Sequence, residues 1–262
     1  MTGTFTYITG SSPLLISMPH NGSRIPDDIA ATMVEEALNS HDTDWYLDRL
    51  YDFAPGLGAH CLIPEYSRYV IDLNRDPAGT SLYPGQDTTE LCPTSSFQRE
   101  PVYKDGQAPD ENEIARRIES YWQPYHQQLA SALMAIKAQH GFVVLLEAHS
   151  IASHVPRFFE GQLPDFNFGT NSGESCDTRL SDAVMSLDVS GYSRVINARF
   201  KGGYITRHYG RPSDSMHSIQ LELSQATYMN EETLEYAEAK ANQVKVKLRE
   251  LTECLLSFNP AP

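Results

Sequence analysis

Basic residues are scarce in this chain: 20 Lys and Arg stand against 34 Asp and Glu, a formal net charge of -14. Long-range repulsion therefore opposes binding to nucleic acid or to an anionic membrane face. It does not oppose an anionic small molecule, because a few buried arginines can dominate one pocket. Long apolar runs are missing too. No stretch nears the roughly 18 apolar residues of a membrane span, and MTGTFTYITG lacks the basic region and apolar run of a secretory signal. Cys61, Cys92, Cys176 and Cys254 are scattered with no CxxC pair. That fits reduced thiols better than a disulfide framework or a zinc knuckle. No GxSxG elbow is present, and Ser150 directly follows His149, which argues against a serine hydrolase. No internal repeat or low-complexity segment breaks the chain. These absences leave a cytoplasmic protein with a small-molecule partner, no nucleic acid and no membrane; nothing in them speaks to oligomeric state.

What is there is ordinary for a globular domain: 40% hydrophobic and 21% charged residues. One α/β hydrolase domain over residues 1–262 is the simplest count. Pro13 to Met18 suits a buried strand that ends at Pro19-His20-Asn21-Gly22, placing His20 just past a strand end. Helices are expected from Pro26 to Leu38 and from His41 to Tyr51, with Asp42 or Asp44 as a helix cap. Ala59 to Pro64 reads as a strand, and Ser67 to Leu73 as a second apolar strand that leads into Asn74-Arg75. Residues Ala78 to Gln107 form a long loop anchored by Tyr83, Leu91, Phe97, Val102 and Tyr103.

Asp110 to His140 is the clearest helix, with a capping-box pattern at Asp110 and Glu113, a kink expected at Pro124 and a stop at Gly141. Phe142 to Leu146 is a strand buried on both faces, and it runs into Glu147-Ala148-His149-Ser150. A second long loop, carrying Arg157, reaches Asp177. A short helix near Arg179 to Leu187, a strand near Arg194 to Phe200 and a strand Tyr204 to His208 follow. Ser218 to Ala226 alternates, sending Ile219, Leu221 and Leu223 one way and Gln220, Glu222 and Ser224 the other. Asn230 should cap a last helix to Phe258. Strands alternating with helices imply a three-layer α/β/α fold around a central, mostly parallel mixed sheet.

Such a sheet places His20, Asn74-Arg75, His149 and Glu222 near strand ends. Two histidines and a carboxylate are the ligand set of many hydrolytic zinc sites. Glu222 can then serve as general base and Arg75 can hold an anionic substrate. A structural salt bridge of Arg75 with Asp72 or Asp76 is the plainer alternative. Ligand types alone leave manganese, iron and cobalt open beside zinc.

The segments SMPHNGSRIP, DTDWYLDRLYDF, SRYVIDLNRDP, SLYPGQDTTELCP, LLEAHSIAS, FNFGTNSGESCD, NARFKGGYITRHYG and HSIQLELSQATYM resemble the N-formylglutamate amidohydrolase family, over nearly the whole chain. The order of His20, Asn74-Arg75, His149-Ser150 and Glu222-Leu223 is similar, more faintly, to the zinc carboxypeptidase and aspartoacylase superfamily. The first resemblance implies metal-dependent hydrolysis of N-formyl-L-glutamate to formate and glutamate, within bacterial histidine degradation. The second implies the phosphorylase/hydrolase-like fold of the zinc carboxypeptidases, one divalent transition metal with zinc foremost, and Glu222 as general base. That superfamily carries a Glu three residues after its first His, where this chain has Ser23. The missing ligand is therefore sought in Asp44, with Asp42 second. Asn74 and Arg75 are expected on the substrate α-carboxylate. Arg207, then Arg157 and Arg68, are expected on its side-chain carboxylate. His208 and His217 are weaker candidates. Hydrolysis of another N-acyl amino acid or a dipeptide, or dicarboxylate binding without catalysis, are the alternatives.

Overall fold

The computed structural model describes residues 3–80, 85 and 87–260. Tyr83, expected as a loop anchor, lies outside them. Seven strands form one sheet: β1 (Phe5–Ile8), β2 (Leu14–Ser17), β3 (His60–Pro64), β4 (Val143–Ile151), β5 (Phe166–Gly169), β6 (Arg194–Ile196) and β7 (Met216–Ser224). Their spatial order is β1-β3-β2-β4-β7-β5-β6. The four central strands run parallel, while β1 pairs antiparallel with β3 and β5 antiparallel with β7. The mixed, mostly parallel sheet expected from the sequence is present.

The helices are α1 (Asp27–Ala30), α2 (Leu47–Leu50), α3 (Glu111–Arg117), α4 (Gln123–His140), α5 (Thr178–Ser186), α6 (Tyr204–Tyr209) and α7 (Glu238–Ser257). Alternation along the central strands feeds two cores. Leu14, Ile16, Val144, Leu146, Ile219, Leu221 and Leu223 meet α2, α5 and α7 on one face. Leu15, Leu62, Val143 and Leu145 meet α4 on the other, through Tyr125, Leu129, Leu133 and Ile136. Each fully buried aliphatic side chain contributes roughly 1.5–3 kcal/mol, so the sheet is held from both sides. β7 lies between β4 and β5, so Glu222 belongs to an interior strand and not to a solvated edge. None of the described helices is long and apolar enough to cross a membrane.

Several local expectations are corrected. Tyr204–Tyr209 is a helix, not a strand. Its first-turn amides Ile205 N and Thr206 N donate to the side chains of Asn74 and Glu147, and these tertiary acceptors outweigh its aromatic and β-branched residues. Ser67 to Leu73 is irregular, tied down by Asp72 N donating to the Leu91 carbonyl at 2.7 Å. Phe166–Gly169, expected within a loop, is β5. The strand near Arg194 stops at Ile196. The two early helices shrink to single turns, α1 and α2, plus short 3-10 turns. Asp110 caps α3 by accepting from Glu113 N at 2.9 Å, and a π-helical turn, Ile118–Trp122, joins α3 to α4 where Pro124 interrupts the pattern. Asn230 does not cap α7; its Oδ1 accepts from Glu232 N and Thr233 N in a separate turn, eight residues before Glu238, where the helix begins.

Candidate metal centre and active site

The chain runs from β2 to β3 on one side and returns to β4 on the other. β2 and β4 are therefore the sheet's topological switch point, where open α/β sheets bind ligands at the carboxyl ends of their strands. His20 follows β2 and His149 lies near the end of β4, so the two histidines straddle that point. Asp44 is drawn to the same place by its backbone, Asp44 N donating to the His20 carbonyl at 3.0 Å.

One ligand atom each from His20, Asp44 and His149 fall within 4.8 Å of one another, and all three residues are buried. Asp44 Oδ2 lies 2.8 Å from His149 Nδ1 and 3.7 Å from His20 Nδ1, and it also accepts from Ser150 N at 3.0 Å. The other ring nitrogens are held by carboxylates: His20 Nε2 lies 2.7 Å from Asp72 Oδ1 and His149 Nε2 2.6 Å from Glu147 Oε1. Imidazoles backed at Nε2 and converging with a carboxylate through Nδ1 are the donor set of a small divalent ion. These residues fit a metal.

The electrostatics agree. Burial opposes charge on Asp44, yet the imidazoles of His149 and His20 outweigh it and hold the carboxyl well below its usual range. Burial likewise opposes a charged His149, and its bonds to Asp44 and Glu147 outweigh that and raise its pKa well above the usual value. Asp72 is buried too, but Arg75, His20 and Arg68 keep it ionised, well below the ordinary carboxylate value.

Glu222 stands beside His149 in register across β4 and β7, on the same face of the sheet. Burial pushes its carboxyl up to about 8; the His149 charge counters this and the Asp44 charge adds to it. Gln220 Nε2 donates to its Oε2 at 3.4 Å. Glu222, His20 and His149 share a pocket wall with Asn74, Arg75, Arg68, Arg199, Phe97, Phe158 and Phe200, among others.

The expected residues divide as follows. His20, Asp44, His149, Glu222, Asn74 and Arg75 come together. Asn74 spends its side chain on Glu147 and on Ile205 N, fixing the wall behind His149. Arg75 Nε and Nη2 donate to Thr89, and Nη1 is 3.7 Å from Asp72. Arg68 is buried between Asp72 and Asp44, at 2.8 and 3.7 Å. Arg157 sits behind the wall, bound to Asp87 and to Ser95 and Ser96. Arg207, on α6, donates through Nε to the Gly202 carbonyl and is not among the pocket-lining residues described. Asp42, the alternative third ligand, turns away to accept from Tyr69 Oη and Phe97 N at 2.7 and 2.8 Å. His208 stacks on Tyr204, and His217 accepts from Asp177 N far from the cluster's ligands.

Sequence reasoning did not single out Glu147 and Asp72, which back the two histidines, or Arg199, which lines the pocket. The first was within reach, since a residue two positions before His149 in a strand shares its face.

An α/β sheet with a buried, carboxylate-backed His-Asp-His cluster at its switch point, and a glutamate alongside, defines a protein built to carry out chemistry at a single centre. The comparisons with known proteins narrow this. Residues 12–229 match the family model described as N-formylglutamate amidohydrolase, and the chain belongs to that family. It is 47% identical to the N-formylglutamate deformylases of Pseudomonas putida and Pseudomonas aeruginosa, over 98% of this chain and 97% and 98% of theirs. Its fold is similar to the crystal structure of N-formylglutamate amidohydrolase from Ralstonia eutropha JMP134: TM-score 0.79 and 29% identity, over 96% of this chain and 95% of that one. A gene product of Agrobacterium tumefaciens shares the fold at TM-score 0.73 and 18% identity, over 97% and 95% of the two chains.

Proposed function

We propose that this chain hydrolyses N-formyl-L-glutamate to formate and L-glutamate, as one hydrolase domain using one divalent transition metal, zinc foremost. The observation that carries the reading is the convergence of His20, Asp44 and His149, with each imidazole backed by a buried carboxylate, beside Glu222. Membership of the family supports the substrate.

When bound by His20, Asp44 and His149, the metal supplies Lewis acidity to the formyl carbonyl and to water. Asp72 and Glu147 fix the planes and tautomers of the two ligand rings, so the donor set is preorganised. Glu222 accepts the proton of the attacking water on its carboxylate and returns it to the departing amine nitrogen. Burial raises the Glu222 carboxyl to about 8 against the opposing charge of His149, so the group exchanges a proton near neutrality. Arg75 takes the α-carboxylate of the substrate. Phe97 and Phe158, packed edge to face at 4.9 Å, give the pocket an apolar side that excludes water from the reacting amide.

The products suit the last step of a bacterial histidine-degradation route in the cytoplasm, and that placement rests on the family resemblance. The test is a pair of measurements on purified protein: metal content, and formate release from N-formylglutamate beside N-acetylglutamate. Stoichiometric zinc or another transition metal with selective formate release supports the reading. Full activity after exhaustive chelation would overturn the metal, and no formate release from the metal-replete protein would overturn the substrate.

A further inference from the structure

The deformylase reading leaves one requirement without an assigned residue. The substrate carries a second carboxylate, at the end of its side chain, and burying that charge demands a cation. Three arginines line the pocket: Arg68, Arg75 and Arg199. Arg68 is committed to buried carboxylates at Asp72 and Asp44. Arg75 stands beside Asn74 and is taken by the α-carboxylate. Arg157 is engaged by Asp87, Ser95 and Ser96, and Arg207 stands off the pocket wall.

Resting on the deformylase reading, we infer that Arg199 is the specificity-determining residue for the side-chain carboxylate. It follows β6 on the segment that crosses back toward α6, and that segment is anchored by Gly203 N donating to Gln220 Oε1 at 2.8 Å. Gly203 is held against Asn74 so closely that a Cβ there would lie 2.2 Å from Asn74 Nδ2, which pins the segment to the pocket wall. The guanidinium is positioned on both sides. Nε donates to the Phe158 carbonyl, and Cζ lies 5.5 Å from the Phe200 ring centroid and 5.9 Å from that of Phe158. A guanidinium anchored at Nε and lying close to two aromatic rings is preorganised, so bidentate capture of a carboxylate costs it little side-chain entropy. Phe158, Arg199 and Phe200 line the same pocket as His20, His149 and Glu222. The class of substrate selected is therefore an N-formyl amino acid with an anionic side chain.

The test compares kcat/KM for N-formyl-L-glutamate and for its neutral isostere N-formyl-L-glutamine, in the metal-replete wild-type chain, Arg199→Gln and Arg199→Lys. The wild type should prefer the acidic substrate. Arg199→Gln should lose about 30-fold or more on N-formylglutamate while its rate on N-formylglutamine stays near that of the wild type. Arg199→Lys, which keeps charge without the fork, should fall between them. The activity of Arg199→Gln on the neutral substrate also reports that the variant is folded. An equal fall on both substrates, or no fall on either, in the presence of a normal wild type would overturn the role of Arg199 alone. A wild type inert on both substrates would overturn the deformylase reading beneath it.

Discussion

Replacing Glu147 by Gln removes one charge from behind His149, a proposed metal ligand, and changes almost no volume. Glu147 is fully buried and accepts from four donors. Its Oε1 receives His149 Nε2 and Asn74 Nδ2, and its Oε2 receives Thr206 N and Thr206 Oγ1. An amide must turn its NH2 toward one of these pairs. Facing Oε1's partners it would confront two N–H donors. Facing Thr206 it confronts one N–H and a hydroxyl that can rotate to accept. The second orientation is the cheaper, and it leaves the Thr206 amide without an acceptor, a cost of about 1–3 kcal/mol in stability. His149 keeps an oxygen partner, but a neutral one, and a charge-assisted bond is about twice as strong as a neutral bond. Loss of such backing typically weakens metal binding about 10- to 100-fold. Zinc affinity of Glu147→Gln, measured by chelator competition, should fall within that range, and urea unfolding should show the stability loss. Zinc affinity equal to that of the wild type in a folded variant would refute the claim that Glu147 orders the centre.

Two further predictions concern the scaffold. His126 is stacked on Trp122 at 3.7 Å, with Nε2 donating to the Leu73 carbonyl at 2.8 Å, and burial lowers its pKa to about 3. Below an unfolded value of about 6.5 the unfolded chain takes a proton that the folded chain refuses, so stability present above that pH is lost as pH falls toward 3, by about 1.4 kcal/mol per unit. Between pH 7 and about 4.5, His126→Gln should lose roughly 2–3 kcal/mol less stability than the wild type in urea unfolding, and parallel losses would contradict this. Asp110→Ala removes the acceptor for Glu113 N at the start of α3 and should cost about 1 kcal/mol in the same assay, where no change would show the cap to be idle.

The parts of the structure legible in the sequence were those whose pattern is local. The alternation around Glu222 identified β7 and its two faces, and the apolar run before Glu147 identified β4, because strand periodicity survives without knowledge of the neighbours. The positions of His20 and His149 beside strand ends followed from turn residues and apolar runs. What was lost is tertiary. YITRHY reads as a strand, and it is a helix because Asn74 and Glu147, distant in sequence, take its first amides. The short FNFG strand is hidden in loop-like text and exists because Asn167 pairs with Glu222 across β5 and β7. Among the arginines, residue type and strand context could not separate Arg199 from Arg207. Only the fold shows which of them reaches the pocket wall.

The central claim is that Glu222 moves the proton at a centre formed by His20, Asp44 and His149. Glu222→Gln keeps the shape of a side chain buried on β7 and removes its ability to accept a proton. Formate release from N-formylglutamate should fall about 100- to 10,000-fold, with metal content per chain equal to that of the wild type. Turnover within a few-fold of the wild type by that metal-loaded variant would contradict the account.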